Sequence, residues 1–456
     1  MKSAVLLWCS IAMAAEPGAL RRVDISAMDK AGHPIRDLRA SDIELRDGGV
    51  KQPLVFFRHW SGEAAPHVVT VVLDLLDWWP KSDGPNAWDE TLAALRRFEA
   101  TEDVYFYVLT SPAGALVPVR PLPESEAAAG RPDHHWVDRV APQVVALRNT
   151  VAPPLAWDKQ GGFDSAIEAA FVAADTISAK MELLAGRKAL VWIGEEPLLP
   201  RARDWPDGHS PAAKRMIAKV RRLEGRMNRG DIAMFTVRPL VVFGVTTRPH
   251  VPRLAHVTGG SDQTIGDIAR GIANAVAETH EGYRAFYAPP PTRRQDDYRE
   301  IQVRSSRRDV RLLSQTGYTL DPDDEAAEVR QRMMMDRAVV APRDSIDIPL
   351  RQQAGRMIVD ANALLLREGG GLFTGTLLVQ FVSYGAAESR KEITAEPVRV
   401  DLKLSRADRD RVLREGFVLP VKAKHDREAQ RVRAIVCDLG SEMCGSATVE
   451  IPRRPE

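Results

Sequence analysis

Cysteine is scarce in this chain, with 3 residues among 456. The 10 histidines are scattered and lack the short His/Cys spacings typical of zinc sites. The sequence also has no Gly-x-Ser-x-Gly elbow, no His-Glu-x-x-His pair and no Gly-x-x-x-x-Gly-Lys phosphate loop. We therefore predict a protein that is not an enzyme and carries no cofactor. An unrecognised hydrolase, based on scattered acids, is the lesser alternative.

Charge of one sign is not in excess. The chain has 63 Lys and Arg against 62 Asp and Glu, for a net charge of +1. A nucleic acid or an anionic membrane surface is bound through a strong positive field, which this balance excludes. No nucleic-acid partner is expected.

Long apolar runs are missing except near the start, where "MKSAVLLWCSIAMAAEPG" combines Lys2, an apolar run and a small-x-small pattern at 12–14. This pattern predicts a signal peptide and export to the periplasm, the cell surface or the medium. A membrane anchor is the alternative, but the run is short for a span of roughly 20 residues. A lipoprotein signal is a further alternative, although Trp8 stands before Cys9 where a small residue is needed. After removal of the signal, no transmembrane span is expected.

Between about 66 and 282, apolar strands alternate with amphipathic helices, as in "HVVTVVLD", "DVYFYVLTS", "KALVWIG" and "DIAMFTV". This alternation predicts an α/β fold with a doubly wound, mostly parallel sheet. The flanking sequence is β-like, with a strand at 398–404, and a short helix capped by Ser405 and ended by Gly416. The predicted organisation is a signal peptide (1–15), an N-terminal β segment (16–65), the α/β domain (66–282), a β-hairpin extension (283–322), a linker helix (323–341) and a C-terminal β-sandwich (342–456).

Cys437 and Cys444 flank a turn-like stretch between two β-like runs. Two cysteines that face each other across a hairpin can form a disulfide in an oxidising compartment. The spacing therefore makes them a candidate disulfide, and two unpaired cysteines remain the alternative.

Several acids follow predicted strands, and ligands of open α/β sheets usually bind at the carboxyl ends of the strands. Asp74 ends the first strand and Glu195 follows the third, while Asp164 and Ser165 begin a helix after a glycine pair. If the strands are neighbours, these side chains converge at one rim. Oxygen ligands at such a rim would suit Mg²⁺ or Ca²⁺, with Asp74 and Glu195 as the metal candidates.

At residues 20–320 the chain resembles the von Willebrand factor A-related proteins of bacteria. The resemblance is carried by the order of "VDISAMDKAGHPIRDLRASDIELRDGG", "VVTVVLD", "LLAGRKALVWIGEEP" and "RGDIAMFTVRP". The C-terminal stretch that begins at "LSRADRDRVLREG" resembles a β module appended to some members. The resemblance implies a Rossmann-like A domain that binds proteins.

Metal-competent members of that family have an Asp-x-Ser-x-Ser loop. Here Asp74 matches the aspartate, but Leu76 and Trp78 fill the serine positions, and Phe163 lies near the threonine position. The resemblance therefore implies a degenerate metal site, because leucine, tryptophan and phenylalanine offer no oxygen to a cation.

The sequence thus predicts an exported protein-binding module of the adhesion type, whose partner is a protein of unknown identity. The expected binding rim comprises Asp74, Asp77, Trp78, Asp164, Ser165 and Glu195. A structural or assembly subunit of the cell envelope, with contacts through the β modules, is the alternative.

Overall fold

The computed structural model describes residues 20–61, 68–75, 84–110, 115–124, 135–150, 160–184, 186–194, 211–237, 254–263, 267–291, 298–319, 327–353, 356–384, 396–419 and 429–451. Its strands are β1 (Arg21–Met28), β2 (Ile43–Asp47), β3 (Val50–Gln52), β4 (Leu54–Ser61), β5 (Val68–Asp74), β6 (Asp103–Thr110), β7 (Ala115–Arg120), β8 (Lys188–Ile193), β9 (Ile232–Val237), β10 (Asp262–Gln263), β11 (Glu281–Tyr287), β12 (Tyr298–Ser305), β13 (Arg311–Ser314), β14 (Gly317–Thr319), β15 (Leu350–Gln353), β16 (Arg356–Val359), β17 (Arg367–Gly369), β18 (Leu372–Tyr384), β19 (Val398–Leu404), β20 (Phe417–Val418), β21 (Arg431–Asp438) and β22 (Met443–Glu450). Its α-helices are α1 (Gly84–Phe98), α2 (Trp136–Thr150), α3 (Gln160–Met181), α4 (Pro211–Arg229), α5 (Leu254–Val257), α6 (Ile268–His280), α7 (Ala327–Val340) and α8 (Arg406–Glu415).

Two segments far apart in sequence build the first β unit, which comprises β1–β4 and β11–β14. One of its sheets has the strand order β13-β1-β11-β4 and the other has the order β14-β12-β2-β3. Val23 and Ile25 of β1, Tyr283 and Tyr287 of β11, and Ile301 of β12 share one apolar core. The N-terminal segment and the segment after 283 are therefore parts of one unit.

The mixed-sheet unit comprises β5–β10 and α1–α6, and it is inserted between β4 and β11. Its sheet has the order β10-β9-β8-β5-β6-β7. β5, β6, β8, β9 and β10 pair in parallel, whereas β7 runs antiparallel to β6. The central strand β5, "VVTVVLD", is buried along its whole length, as suits an apolar, β-branched strand covered on both faces.

The C-terminal β unit comprises α7, β15–β22 and α8. Its larger sheet has the order β17-β18-β21-β22, with β19 also paired to β18. The strand predicted at 398–404 is confirmed as β19. The predicted ends of the short helix are also confirmed, because the Ser405 side chain accepts a hydrogen bond from the Asp408 amide and Gly416, at φ 86°, ends α8.

The predicted fold class, an α/β molecule with a Rossmann-like doubly wound core, is wrong. Four of the five sheets in the described chain contain antiparallel pairs alone, and the remaining sheet is mixed. The molecule is mostly β. The prediction gave the strand–helix alternation of 66–282 the leading role, whereas the flanking β segments contribute most of the sheets and close their own cores.

Candidate functional site

The carboxyl ends of the parallel strands meet at one edge of the mixed sheet, which we call the carboxyl edge. Asp74 is the last residue of β5 and is the register partner of Leu109 in β6. On the other side of β5, Leu73 is opposite Ile193 of β8. This edge is where the sequence predicts the binding rim.

Asp74 is buried, with 4% of its surface exposed. The indole Nε1 of Trp192, a fully buried residue of β8, donates a hydrogen bond to Asp74 Oδ2 at 3.2 Å. A buried carboxylate requires such donors, because an uncompensated charge is costly away from water. Asp74 therefore ties two central strands together at the carboxyl edge.

The structure tests few of the other predicted rim residues. Asp77, Trp78 and Glu195 lie outside the described residues. Asp164 and Ser165 lie in α3, but their side chains are outside the description. The rim as a group, and the pairing of Asp74 with Glu195 around a metal, therefore stay predictions. Among the side chains that are described, no group of three His, Cys, Asp or Glu residues is placed to hold a metal ion.

Connections differ in length at the two ends of the parallel strands. At the carboxyl edge, β5, β8 and β9 are followed by connections of 9, 17 and 16 residues, which are 75–83, 194–210 and 238–253. At the opposite end, which we call the amino edge, the connections are 99–102, 182–187 and 230–231, with 4, 6 and 2 residues. Connections longer than about 12–15 residues are uncommon and are often functional.

The amino edge carries a buried network of charges that the sequence reasoning missed. Asp231, just before β9, contacts Arg284 of β11 and lies 3.3 Å from Arg187 Nη1. Asp24 of β1 accepts a hydrogen bond from Arg284 Nε at 2.9 Å and lies 3.4 Å from Arg187 Nη1. Arg22 Nε adds an ion pair to Asp24 at 3.0 Å. Two carboxylates and three guanidinium groups therefore share one buried site.

The charges of this network fix one another's ionisation. Burial alone would raise the pKa of Asp231, but Arg22, Arg284 and Arg187 lower that pKa well below the ordinary range of aspartate. Burial would lower the pKa of Arg284, but the carboxylates around it, Asp24 first, raise that pKa. Both groups are therefore charged at neutral pH.

Asp231 also has an unusual backbone. Its φ of 54° is in the left-handed region, which aspartate and asparagine tolerate better than most residues. Its carbonyl accepts a hydrogen bond from the Lys188 amide at 2.9 Å, so the same residue joins the starts of β8 and β9. The preceding Gly230 leaves only two residues between α4 and β9, and this tight turn requires the strained conformation.

Lys188 begins β8 and is buried within the same edge. Its Nζ donates hydrogen bonds to the carbonyl oxygens of Leu184, at 2.8 Å, and Gly186, at 2.5 Å. Burial lowers the pKa of Lys188 to about 8. A sequence signal for this edge does exist, because Arg187-Lys188 and Asp231 directly precede apolar strands. Charges at strand starts are usually solvated, so the pattern alone did not single them out.

The two cysteines of the C-terminal β unit form a disulfide in the structure. Cys437 of β21 and Cys444 of β22 are register partners in an antiparallel hairpin, and both are buried. Met334, Met335 and Ala338 of α7 belong to the same apolar cluster. The bond therefore lies beneath a helix. In the part of the chain that the structure describes, no helix is long and apolar enough to span a bilayer.

Comparison with known proteins gives no family. No family model matches the chain, and no curated protein matches it. Among solved structures, the human COPII-coat protein Sec24c aligns at 10% identity and a TM-score of 0.23, covering 59% of this chain and 47% of its own. The pilus adhesin SpaC from Lactobacillus rhamnosus GG aligns at 8% identity and a TM-score of 0.23, covering 92% of this chain and 57% of its own. The chain thus spans about half the length of these structures, and similarities this weak assign neither a fold nor a function.

Proposed function

We propose that this chain is an exported, non-enzymatic protein that binds another protein at the carboxyl edge of its mixed sheet. The observation that carries the proposal is the contrast between the two edges of that sheet. Charged side chains of the amino edge are buried in contacts with the first β unit, whereas the longest connections leave from the carboxyl edge. Long connections on a rigid sheet are where binding residues are usually found.

Trp78 is the proposed anchor, because tryptophan is enriched among residues that dominate binding energy. Asp74 has a different role in this proposal. Its bond to Trp192 supports the strand end from which the connection 75–83 leaves. Asp77 and Glu195 would add polar contacts at the rim, and no metal ion is required. The Cys437–Cys444 disulfide is compatible with export. The resemblance to von Willebrand factor A-related proteins remains a hypothesis.

One observation favours the assembly-subunit alternative. β19 carries Val398 with 41% of its surface exposed, and Leu372, at the start of β18, is also 41% exposed. Apolar side chains on an outer strand suit a contact with another envelope protein.

Site-specific photocrosslinking in the native envelope separates the two proposals. A photoreactive phenylalanine analogue would replace Trp78 in one variant and Val398 in the other, in the full-length chain. Protein adducts from position 78 with none from 398 support binding at the carboxyl edge. Adducts from position 398 alone would refute it and support the assembly subunit. A third position in α7, Arg332, whose side chain is 85% exposed, controls for random collisions.

A further inference from the structure

Two different kinds of contact join the three units. The first β unit and the C-terminal β unit share an apolar core, in which Phe286 and Phe56 pack with Ile348 and Val359. In the described chain, none of the apolar clusters contains side chains from both the mixed-sheet unit and the C-terminal β unit. The two junctions therefore differ in their chemistry.

Ion pairs join the mixed-sheet unit to the C-terminal β unit. Arg343 Nη1 lies 2.5 Å from Asp103 Oδ2 at the start of β6. Arg337 Nη1 lies 2.9 Å from Glu182 Oε1, just after α3. Arg284 adds an indirect link, because it contacts Asp231 on one side and Asp347 Oδ1, at 3.1 Å, on the other. All three of these residues from the C-terminal unit belong to one segment, 337–347.

Segment 337–347 is itself held firmly on the C-terminal sheet. Asp344 accepts hydrogen bonds from Ser446 Oγ at 2.9 Å and from the Thr448 amide at 2.8 Å. Ile346 forms a bridge with Gly445 of β22. A side chain at Gly445 would collide with the backbone of Ile348, so the segment lies directly against that strand. The segment therefore stays with the C-terminal sheet if the ion pairs break.

An ionic junction separates more easily than an apolar one. Ions that part from each other regain water, and this hydration offsets most of the lost attraction. Apolar surfaces that part regain nothing comparable. We propose that segment 337–347 is an electrostatic latch, which holds the mixed-sheet unit against the C-terminal β unit and can release it while the two β units stay together.

The chain path provides a hinge for such a movement. The mixed-sheet unit is inserted between β4 and β11, and the residues that border the insertion, Ser61 and Glu281, are register partners. Both connections to the unit therefore cross at one point. Movement about this point requires no strand of the first β unit to separate. The latch is independent of partner binding at the carboxyl edge.

Small-angle scattering and calorimetry of the full-length chain test the latch. The variant Arg337→Gln/Arg343→Gln removes both direct ion pairs. The matched control is Arg58→Gln, which removes the ion pair of Arg58 with Asp360, at 3.1 Å, across the apolar junction. We expect the latch variant to have a larger radius of gyration and one more thermal transition than the wild type. The control should match the wild type. A latch variant with the wild-type radius and transitions would overturn the proposal.

Loss of Arg343 leaves Asp103 buried and without that charge partner, which could unfold the unit. A second variant, Arg337→Gln/Arg343→Gln/Asp103→Asn, removes this charge. The amide that replaces the carboxylate keeps an acceptor for the Tyr105 hydroxyl, which donates to Asp103 at 2.8 Å. We expect this variant to be folded and expanded. The single variant Arg343→Lys keeps the charge and should stay closed. A folded triple variant with the wild-type dimensions would refute the latch.

Discussion

At the amino edge of the mixed sheet, the charged residues Asp103, Lys188 and Asp231 are buried in ion pairs or hydrogen bonds that link the starts of strands to other parts of the molecule. At the carboxyl edge, Asp74 bonds to Trp192, a residue of the same sheet. Both edges contain buried acids, but the acids of the amino edge connect units and Asp74 connects neighbouring strands.

The comparison shows that an acid at a strand end has no single meaning. What matters is which groups approach it from other elements. Arg284 comes from a strand some 50 residues after Asp231 in sequence and meets it because β11 returns to the first β unit. The short connections of the amino edge let that unit approach closely, and the long connections of the carboxyl edge leave room for a partner.

The largest effect is expected from Arg284→Met. This guanidinium contacts Asp24, Asp231 and Asp347, and its removal leaves buried carboxylates with fewer partners. We expect a loss of about 3–5 kcal/mol in the free energy of unfolding, measured by urea denaturation. A loss as small as that of an exposed arginine would mean that the amino edge is not a buried junction.

Lys188 should make stability depend on pH at the amino edge. Its folded pKa is about 8, below the ordinary value of 10.5. Between these values the unfolded chain holds the proton and the folded chain does not, so stability should rise as pH increases from 8 to 10.5. The full gain is about 3 kcal/mol. Denaturation midpoints of wild type and Lys188→Met across this range measure it, and parallel pH profiles would contradict the burial of Lys188.

A smaller loss is expected at the carboxyl edge. Trp192→Phe removes the indole N–H that bonds Asp74 and leaves a gap in the core. We expect a loss of about 1–3 kcal/mol in the free energy of unfolding. Asp74→Asn is the matched variant, because its carbonyl still accepts from the indole, and it should cost less. Equal losses would show that the charge of Asp74, and not this bond, stabilises the edge.

The smallest effect is expected on the outer surface of α7, which calibrates the others. Arg332 and Asp336 form an exposed pair at 3.8 Å, with 85% and 69% of their side chains accessible. Arg332→Met should change the free energy of unfolding by no more than about 0.5 kcal/mol in the same urea assay. A loss comparable to that of Arg284→Met would remove the distinction between buried and exposed pairs.

Local structure was largely predictable from the sequence. The alternation of β19 and the caps Ser405 and Gly416 gave correct elements, because these signals depend on near neighbours. The apolar strands β5, β6, β8 and β9 were found for the same reason. The fold class was wrong because β1 pairs with β11 and β13, some 260 residues or more away. Such pairings leave no local signal in a single sequence.

The candidate site was predictable only in part. The pattern placed Asp74 correctly at the end of a buried strand, but it could not reveal that Trp192 would hold that carboxylate. The buried network around Asp231 was missed, because its arginines come from β1, from the start of β8 and from β11. Each charge looks solvated when it is read alone, and only the tertiary fold brings them together.

Carboxyl footprinting tests the central claim, that the amino edge is closed by a buried ionic junction. Carbodiimide-activated labelling of the full-length protein, read by mass spectrometry, compares Asp24, Asp103 and Asp231 with the exposed acids Asp37 and Asp309. The account predicts that the exposed acids are modified, that the three junction acids are not, and that Asp24 and Asp231 become modified in Arg284→Met. Modification of Asp24 and Asp231 in the wild type, at the rate of Asp309, would contradict it.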